Sequence, residues 1–293
     1  MARYVCAMLS HWLDRLPLGR WRAAKPQVAV LRLAGVIAPM GPWRGGLSIA
    51  GLAGPIERAF GLKPLAAVAL AVNSPGGAAA QSALIATRIR ALAQEKGVPV
   101  IAFVEDVAAS GGYWLAAAAD EIYASETSIV GSIGVISASF GFHELIQRLG
   151  IRRRLYTAGE RKSLLDPFLE ENPADVARLR AIQAEMHEAF KAHVRARRAG
   201  KLKASEEALF NGEFWTGKRA LELGLTDGIG EMRETLRLRF GEKVRLRPIG
   251  GGRSWLRRRL GLAAEGFLSS SEGWAPELLS ALEARALWAR FGL

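Results

Sequence analysis

Three short apolar runs, each cut off by a turn signal and parted from the next by a helical stretch, constrain this chain most. They are Val28 to Ile37 (VAVLRLAGVI), Ala66 to Val72 (AAVALAV) and Pro99 to Glu105 (PVIAFVE). Runs this brief and this uniformly apolar fit strands covered on both faces. Between them, Ile49 to Phe60 and Ala79 to Lys96 read as helices, the second given an apolar side by Leu84, Ile85, Ile89 and Leu92. Strand and helix in alternation predict α/β layers with a mostly parallel sheet flanked by helices. Further strands are expected at Ile122 to Ala124, Ile133 to Ile136 and Arg154 to Thr157. Asn172-Pro173 is an N-cap followed by a residue suited to the first helical position. In the helix it opens, Val176, Leu179, Ile182, Met186, Phe190 and Val194 recur at helical spacing and predict a buried stripe. His187 and His193 sit beside that stripe without other ligands at metal-binding spacing, so they read as boundary residues.

Half of the 293 residues are hydrophobic and 23% are charged, enough for one main core. The expected division is a basic amphipathic segment at 1–26, a catalytic domain at 27–249, and a tail at 250–293 hinged on Gly250-Gly251-Gly252. The first segment mixes Trp12, Leu13, Leu16 and Leu18 with Arg15, Arg20 and Arg22. It either lies on an anionic membrane surface or docks on its own domain. The tail around Trp255 and Arg257 to Arg259 poses the same choice. No run reaches the ~20 apolar residues of a membrane span, and the order of a secretory signal is missing. The expected location is therefore cytoplasmic or peripheral to the inner membrane. The formal charge of +12 is explained in part by an Arg- and Ala-rich composition. Without a helix-turn-helix, zinc-finger or ribonucleoprotein motif, no nucleic-acid partner is expected. Cys6, the one cysteine, can form no internal disulfide.

Two loops concentrate chemistry. In Val107-Ala-Ala-Ser110-Gly111-Gly112-Tyr113-Trp114 a serine stands where a strand gives way to a helix, so free N–H groups and the helix dipole favour negative charge. Ser110 reads either as a nucleophile or as a plain N-cap. Asn73-Ser-Pro-Gly-Gly77 likewise ends a strand and precedes a helix. Its paired glycines can aim an N–H into a cleft as one oxyanion donor, with Gly111 as the other. Parallel sheets bind ligands at strand C-terminal ends, which favours reading the two loops together. For a base, His143 has no acid at a spacing that would orient it. Lys162, in Thr157-Ala-Gly-Glu-Arg-Lys162-Ser, could serve if its ammonium loses a proton near neutral pH.

These motifs, with Gly131-Ser132-Ile133-Gly134-Val135 and Phe214-Trp215-Thr216-Gly217-Lys218 through Asp227, resemble the signal peptide peptidase A (protease IV) family of bacterial serine peptidases. The resemblance runs from about Val28 to Gly230. It implies a Clp-protease- and crotonase-like fold and a Ser-Lys dyad with Ser110 as nucleophile and Lys162 as general base. It further implies Ser132 as the hydroxyl that steadies the lysine, and Gly76 and Gly111 as the oxyanion donors. Hydrophobic peptides such as signal-peptide remnants are the implied substrates. The implied assembly is a ring or dome of identical subunits in which serine and lysine can meet across a boundary. No metal or cofactor is implied. Members commonly carry an N-terminal membrane span where this chain has an amphipathic stretch, and Ser163-Leu164 stand after the lysine where an acid is common.

The main rival reading is a crotonase-fold protein that binds an acyl-CoA or a peptide without cleaving it. A second is a membrane-associated scaffold with a vestigial dyad. Neither rival requires the combination of Ser110, Ser132 and Lys162.

Overall fold

A computed structural model describes residues 25–38, 46–159, 161–250 and 285–292. Apart from Lys25 and Pro26, the expected amphipathic segment at 1–26 lies outside the described residues, as does most of the tail at 250–293.

The apolar runs become β1 (Gln27–Ala34), β2 (Leu65–Ser74) and β3 (Val100–Ala109), which lie side by side and parallel. Among the described residues the sheet has eight strands. The others are β4 (Glu121–Ala124), β5 (Ile129–Gly131), β6 (Phe214–Thr216), β7 (Gly228–Ile229) and β8 (Arg245–Ile249). The path runs β6-β5-β3-β2-β1-β8, with β4 beside β3 and β7 beside β4. All pairings are parallel except that of β5 with β6. The expected α/β architecture with a mostly parallel, helix-flanked sheet is what the chain forms.

Alternation along the strands sorts the core into two faces. On one, Leu31, Leu33, Leu70, Val72 and Ala102 are buried under α1 (Ile49–Phe60), α2 (Ala79–Lys96) and α3 (Gly111–Ala116). Each fully buried Leu or Ile there, such as Leu70 or Ile89, contributes about 1.5–3 kcal/mol by leaving water. On the other face, Val28, Ala67, Ala69, Ile101 and Phe103 meet Leu236. That leucine comes from a later helix, Met232–Phe240. The helix starts and stops obey local chemistry. Ser48 Oγ accepts from Gly51 N–H at 3.3 Å to cap α1, and Gly97 closes α2 in the left-handed region.

After α3 come α4 (His143–Arg148), α5 (Pro173–Arg197), α6 (Glu206–Leu209), α7 (Gly217–Glu222) and α8, the Met232–Phe240 helix. Asn172 and Pro173 open α5 as the sequence predicts, with Asn172 Oδ1 accepting from Ala174 N–H at 2.9 Å. The predicted stripe is buried only in the second half of α5. Phe190 stacks on Trp114 at 4.6 Å between ring centres, and Val194 is buried. His193 Nε2 donates to the Trp114 carbonyl at 3.1 Å, and His187 Nε2 to the Ile133 carbonyl at 3.2 Å. Ile182 and Met186, in the first half, are exposed because that half extends past the edge of the core. A buried ion pair secures the other end: Arg198 donates to Asp227 at 2.5 Å and to the Gly224 carbonyl at 2.7 Å. Burial pushes the Asp227 carboxyl up, but Arg198, Lys201 and the Ile122 N–H outweigh it and hold it below the ordinary value.

Two expected strands do not form. Residues 133–136 are irregular, and the strand of that region is β5, slightly earlier, because Ile129 to Gly131 is what pairs with the end of β3. Residues 151–157 are exposed and without regular structure. They belong to a projecting segment, described over 135–159 and 161–172, whose Phe140, Leu145, Leu149, Ile151 and Tyr156 are exposed.

Candidate active site

The two motif loops meet at the C-terminal ends of β2 and β3. Ser110 comes directly after β3 and starts α3, half-buried, with φ +52° and ψ −123°. Its N–H donates to the Gly131 carbonyl at 2.8 Å, at the end of β5. The residue after Gly131, Ser132, is buried, has φ +53°, and donates its own N–H to the Glu213 carbonyl at 2.6 Å. Among the described residues only three non-glycine residues have positive φ, and Ser110 and Ser132 are two of them. Such backbone costs about 1–3 kcal/mol per residue and persists where surrounding structure enforces it, typically at functional sites. Here β5 ties the two strained serines together.

The loop after β2 packs directly on Ser110. A Cβ at Gly76 would lie 2.8 Å from both Gly111 N and Ser110 Cβ, so only glycine permits that approach. The Gly76 N–H donates to Ser74 Oγ at 3.2 Å, and the Gly76 carbonyl accepts from Ile37 N–H at 2.8 Å. Gly77 differs. It pairs with Ile37 as an isolated bridge, and its N–H has no acceptor among the described residues. The Gly111 N–H, in the first turn of α3, is equally unoccupied among them. Sequence alone does not separate Gly76 from Gly77; of the two, only the Gly76 N–H has a bonded partner among the described residues, the Ser74 hydroxyl.

Lys162 stands in a turn at 161–165, its N–H donating to the Gly159 carbonyl at 3.2 Å. Its side chain is exposed and bonds neither Ser110 nor Ser132. Arg153, close to it in sequence, turns instead to Asp166 at 2.9 Å. The Phe168 N–H and Arg153 hold the Asp166 carboxyl below its ordinary value. Within one chain, then, Ser110, Ser132, Gly76 and Gly111 converge, and Lys162 lies on the projecting segment. His143 begins α4 on that same segment, half-buried, and is not joined to Ser110. Among the described residues no three His, Cys, Asp or Glu side chains gather as metal ligands. A groove of about 1480 Å³ over the second sheet face, between Arg32, Phe103 and Phe291, includes none of the site residues.

The fold and the two loops define an α/β protein in which a strained strand-end serine, Ser110, packs against a glycine loop at the C-terminal ends of parallel strands. Comparison with known proteins gives that class its family. Residues 92–244, more than half of the chain, match Peptidase family S49, and the chain belongs to that family. It is 50% identical over 287 residues to a Brucella abortus protein named Na(+)/H(+) antiporter NhaA, covering 96% of this chain and 39% of that protein. It is 34% identical over 220 residues to the chloroplastic serine protease SPPA of Arabidopsis thaliana, covering 70% of this chain and 31% of that one. The chain thus spans well under half the length of these relatives.

Proposed function

We propose that the protein is a serine endopeptidase working through a Ser-Lys dyad. Ser110 Oγ attacks the scissile carbonyl while the neutral amine of Lys162 takes its proton. The tetrahedral oxyanion is met by the N–H groups of Gly111 and Gly77, with Gly76 providing the close approach. Lys162 then returns the proton to the leaving amine, and water enters by the same route in reverse. Ser132 holds the lysine amine. The observation that carries this reading is the pair of strained serines joined by the Ser110 N–H to Gly131 carbonyl bond, beside two N–H donors without an acceptor among the described residues.

The lysine comes from a neighbouring copy in this reading. Its support is the projecting segment, where exposed Phe140, Leu145, Leu149, Ile151 and Tyr156 accompany an exposed Lys162. Exposed apolar side chains gathered on one segment can mark an interface, and a ring or dome of identical subunits would cover them. Hydrophobic peptides such as signal-peptide remnants are the substrates proposed. Among the described residues no helix is long and apolar enough to cross a membrane. Attachment at an anionic membrane surface is proposed from the net charge of +12 and from the Brucella relative, a protein named as an antiporter of which this chain covers 39%.

The test is subunit mixing. Ser110→Ala and Lys162→Ala should each abolish hydrolysis of a fluorogenic hydrophobic peptide, and the two inactive proteins, mixed and reassembled, should regain it. Activity in either variant alone would overturn the dyad, and silence after exchange would overturn the shared site.

A further inference from the structure

The nucleophile is carried on a strand that changes partners on its way to the site. The first part of β3, Ile101 to Val104, pairs with β4, and the last part, Val107 to Ala109, pairs with β5. Between these parts the register with β2 slips. An advance from Val72 to Ser74 on β2 corresponds to one from Val104 to Ala108 on β3. The two extra residues fall in Glu105 to Val107 and form a bulge. Bulges bend a strand and re-aim the residues beyond them, and they are common beside active sites. Beyond this one lies Ser110.

A bulge loses ladder hydrogen bonds, so its backbone needs other partners if its direction is to be fixed. This bulge has them on both sides. From β2, Asn73 Oδ1 accepts from Val107 N–H at 3.3 Å while Asn73 Nδ2 donates to Asp106 Oδ2 at 2.6 Å. From the lead-in to β5, the buried Ser128 hydroxyl donates to the Glu105 carbonyl at 2.6 Å and accepts from Ser125 N–H at 3.0 Å. Asn73 is also held through its own backbone, its carbonyl accepting from Gly35 N–H at 2.9 Å. It is therefore anchored to the end of β1, and it opens the same loop that supplies Gly76 and Gly77. One residue links the strand that presents Ser110, through its side chain, to the loop that faces it, through its backbone.

We propose that Asn73 is a positioning residue for Ser110: by bonding Asp106 and Val107 it clamps the β3 bulge that aims the nucleophile, with Ser128 as the opposing clamp. This rests on the reading of Ser110 as nucleophile. Asn73 touches no reacting atom and acts through the direction of β3. An amide is required there because it must accept from a backbone N–H and donate to a carboxylate at once.

That requirement supplies the test. Asn73→Asp keeps the shape and the acceptor but sets two carboxylates at the 2.6 Å separation of the present bond, where they repel. The double variant Asn73→Asp with Asp106→Asn restores an amide–carboxylate pair in reversed order. Covalent labelling of Ser110 by an alkyl fluorophosphonate, together with kcat and KM on a fluorogenic hydrophobic peptide, is measured for all three proteins. Asn73→Asp should label and turn over at least about tenfold more slowly with KM within about twofold, and the double variant should return to within about threefold of the starting protein. Starting-protein rates in Asn73→Asp, or a double variant as slow as the single, would overturn the proposal. An unlabelled Ser110 in the starting protein would instead remove the nucleophile on which the proposal rests, so the two failures are distinct.

Discussion

Gly112→Ala probes how closely the site depends on contact between α3 and the end of β2. A Cβ built on Gly112 would stand 2.3 Å from the Ser74 carbonyl oxygen and 3.2 Å from Ser74 Cβ, where ordinary contact begins at 3.4 Å. Both partners belong to structure that cannot swing aside, one a main-chain oxygen and the other a fully buried serine. The helix start and the strand end must therefore part by about 1 Å, with an overpacking cost of about 1–3 kcal/mol. Because Ser74 also accepts the Gly76 N–H, the shift moves the glycine loop away from Ser110 and Gly111. Misplacement by about 1 Å is enough to cost on the order of a hundredfold in rate. Gly112→Ala should thus fold with a lowered denaturation midpoint and hydrolyse peptide on the order of a hundredfold more slowly. Gly54→Ala in α1, whose Cβ would meet within 4 Å only the flexible end of Arg58, serves as the comparison and should hydrolyse peptide at the starting rate. Unchanged hydrolysis by Gly112→Ala would refute the claim that this contact sets the geometry of the site.

Two further outcomes concern stability. Burial, with a smaller contribution from Arg197, lowers the pKa of His193 from 6.5 to about 4, so the unfolded chain binds a proton that the native state refuses between those values. Stability should be fully present above about pH 6.5 and decline as pH falls towards 4, by about 3 kcal/mol in total. Denaturant midpoints at pH 7 and pH 5 check this, and an equally steep decline in His193→Gln would contradict it. Arg198→Met should cost about 3–5 kcal/mol by leaving Asp227 and the Gly224 carbonyl short of partners, whereas removing the exposed Arg219 beside Glu222 should cost under about 1 kcal/mol. Equal costs in urea unfolding would undo that distinction.

The α/β architecture is legible in the sequence because each apolar run has to be a buried strand and each intervening stretch has helical spacing. α1 and α2 begin and end where Ser48, Gly61 and Gly97 permit. Glu105-Asp106 look like a strand terminus, so from sequence β3 should end at Glu105. In the fold they sit in the bulge, where Arg32, Asn73 and Ser128 satisfy them and the strand continues to Ala109. Residues 133–136 and 154–157 resemble strands because their local propensity is extended, but pairing is decided by neighbours that a single chain's pattern does not reveal. The same limit applies to α5, whose periodicity is uniform although only its second half meets the core. At the site, Ser110 and the glycine loop are visible as motifs, and so is the positive-φ tolerance of Gly131 next to Ser132. The engagement of the Gly76 N–H by Ser74, and the clamp made by Asn73, depend on hydrogen bonds that leave no mark in local composition.

The claim on which the rest depends is that Ser110 is a nucleophile activated by Lys162. Fluorophosphonate labelling and subsequent peptide mapping, run on the starting protein, Ser110→Ala and Lys162→Ala across mildly acid to alkaline pH, tests it most directly. The label should fall on Ser110 alone and be lost in both variants across that range. A label on another residue, or undiminished labelling of Ser110 in Lys162→Ala, would contradict the account.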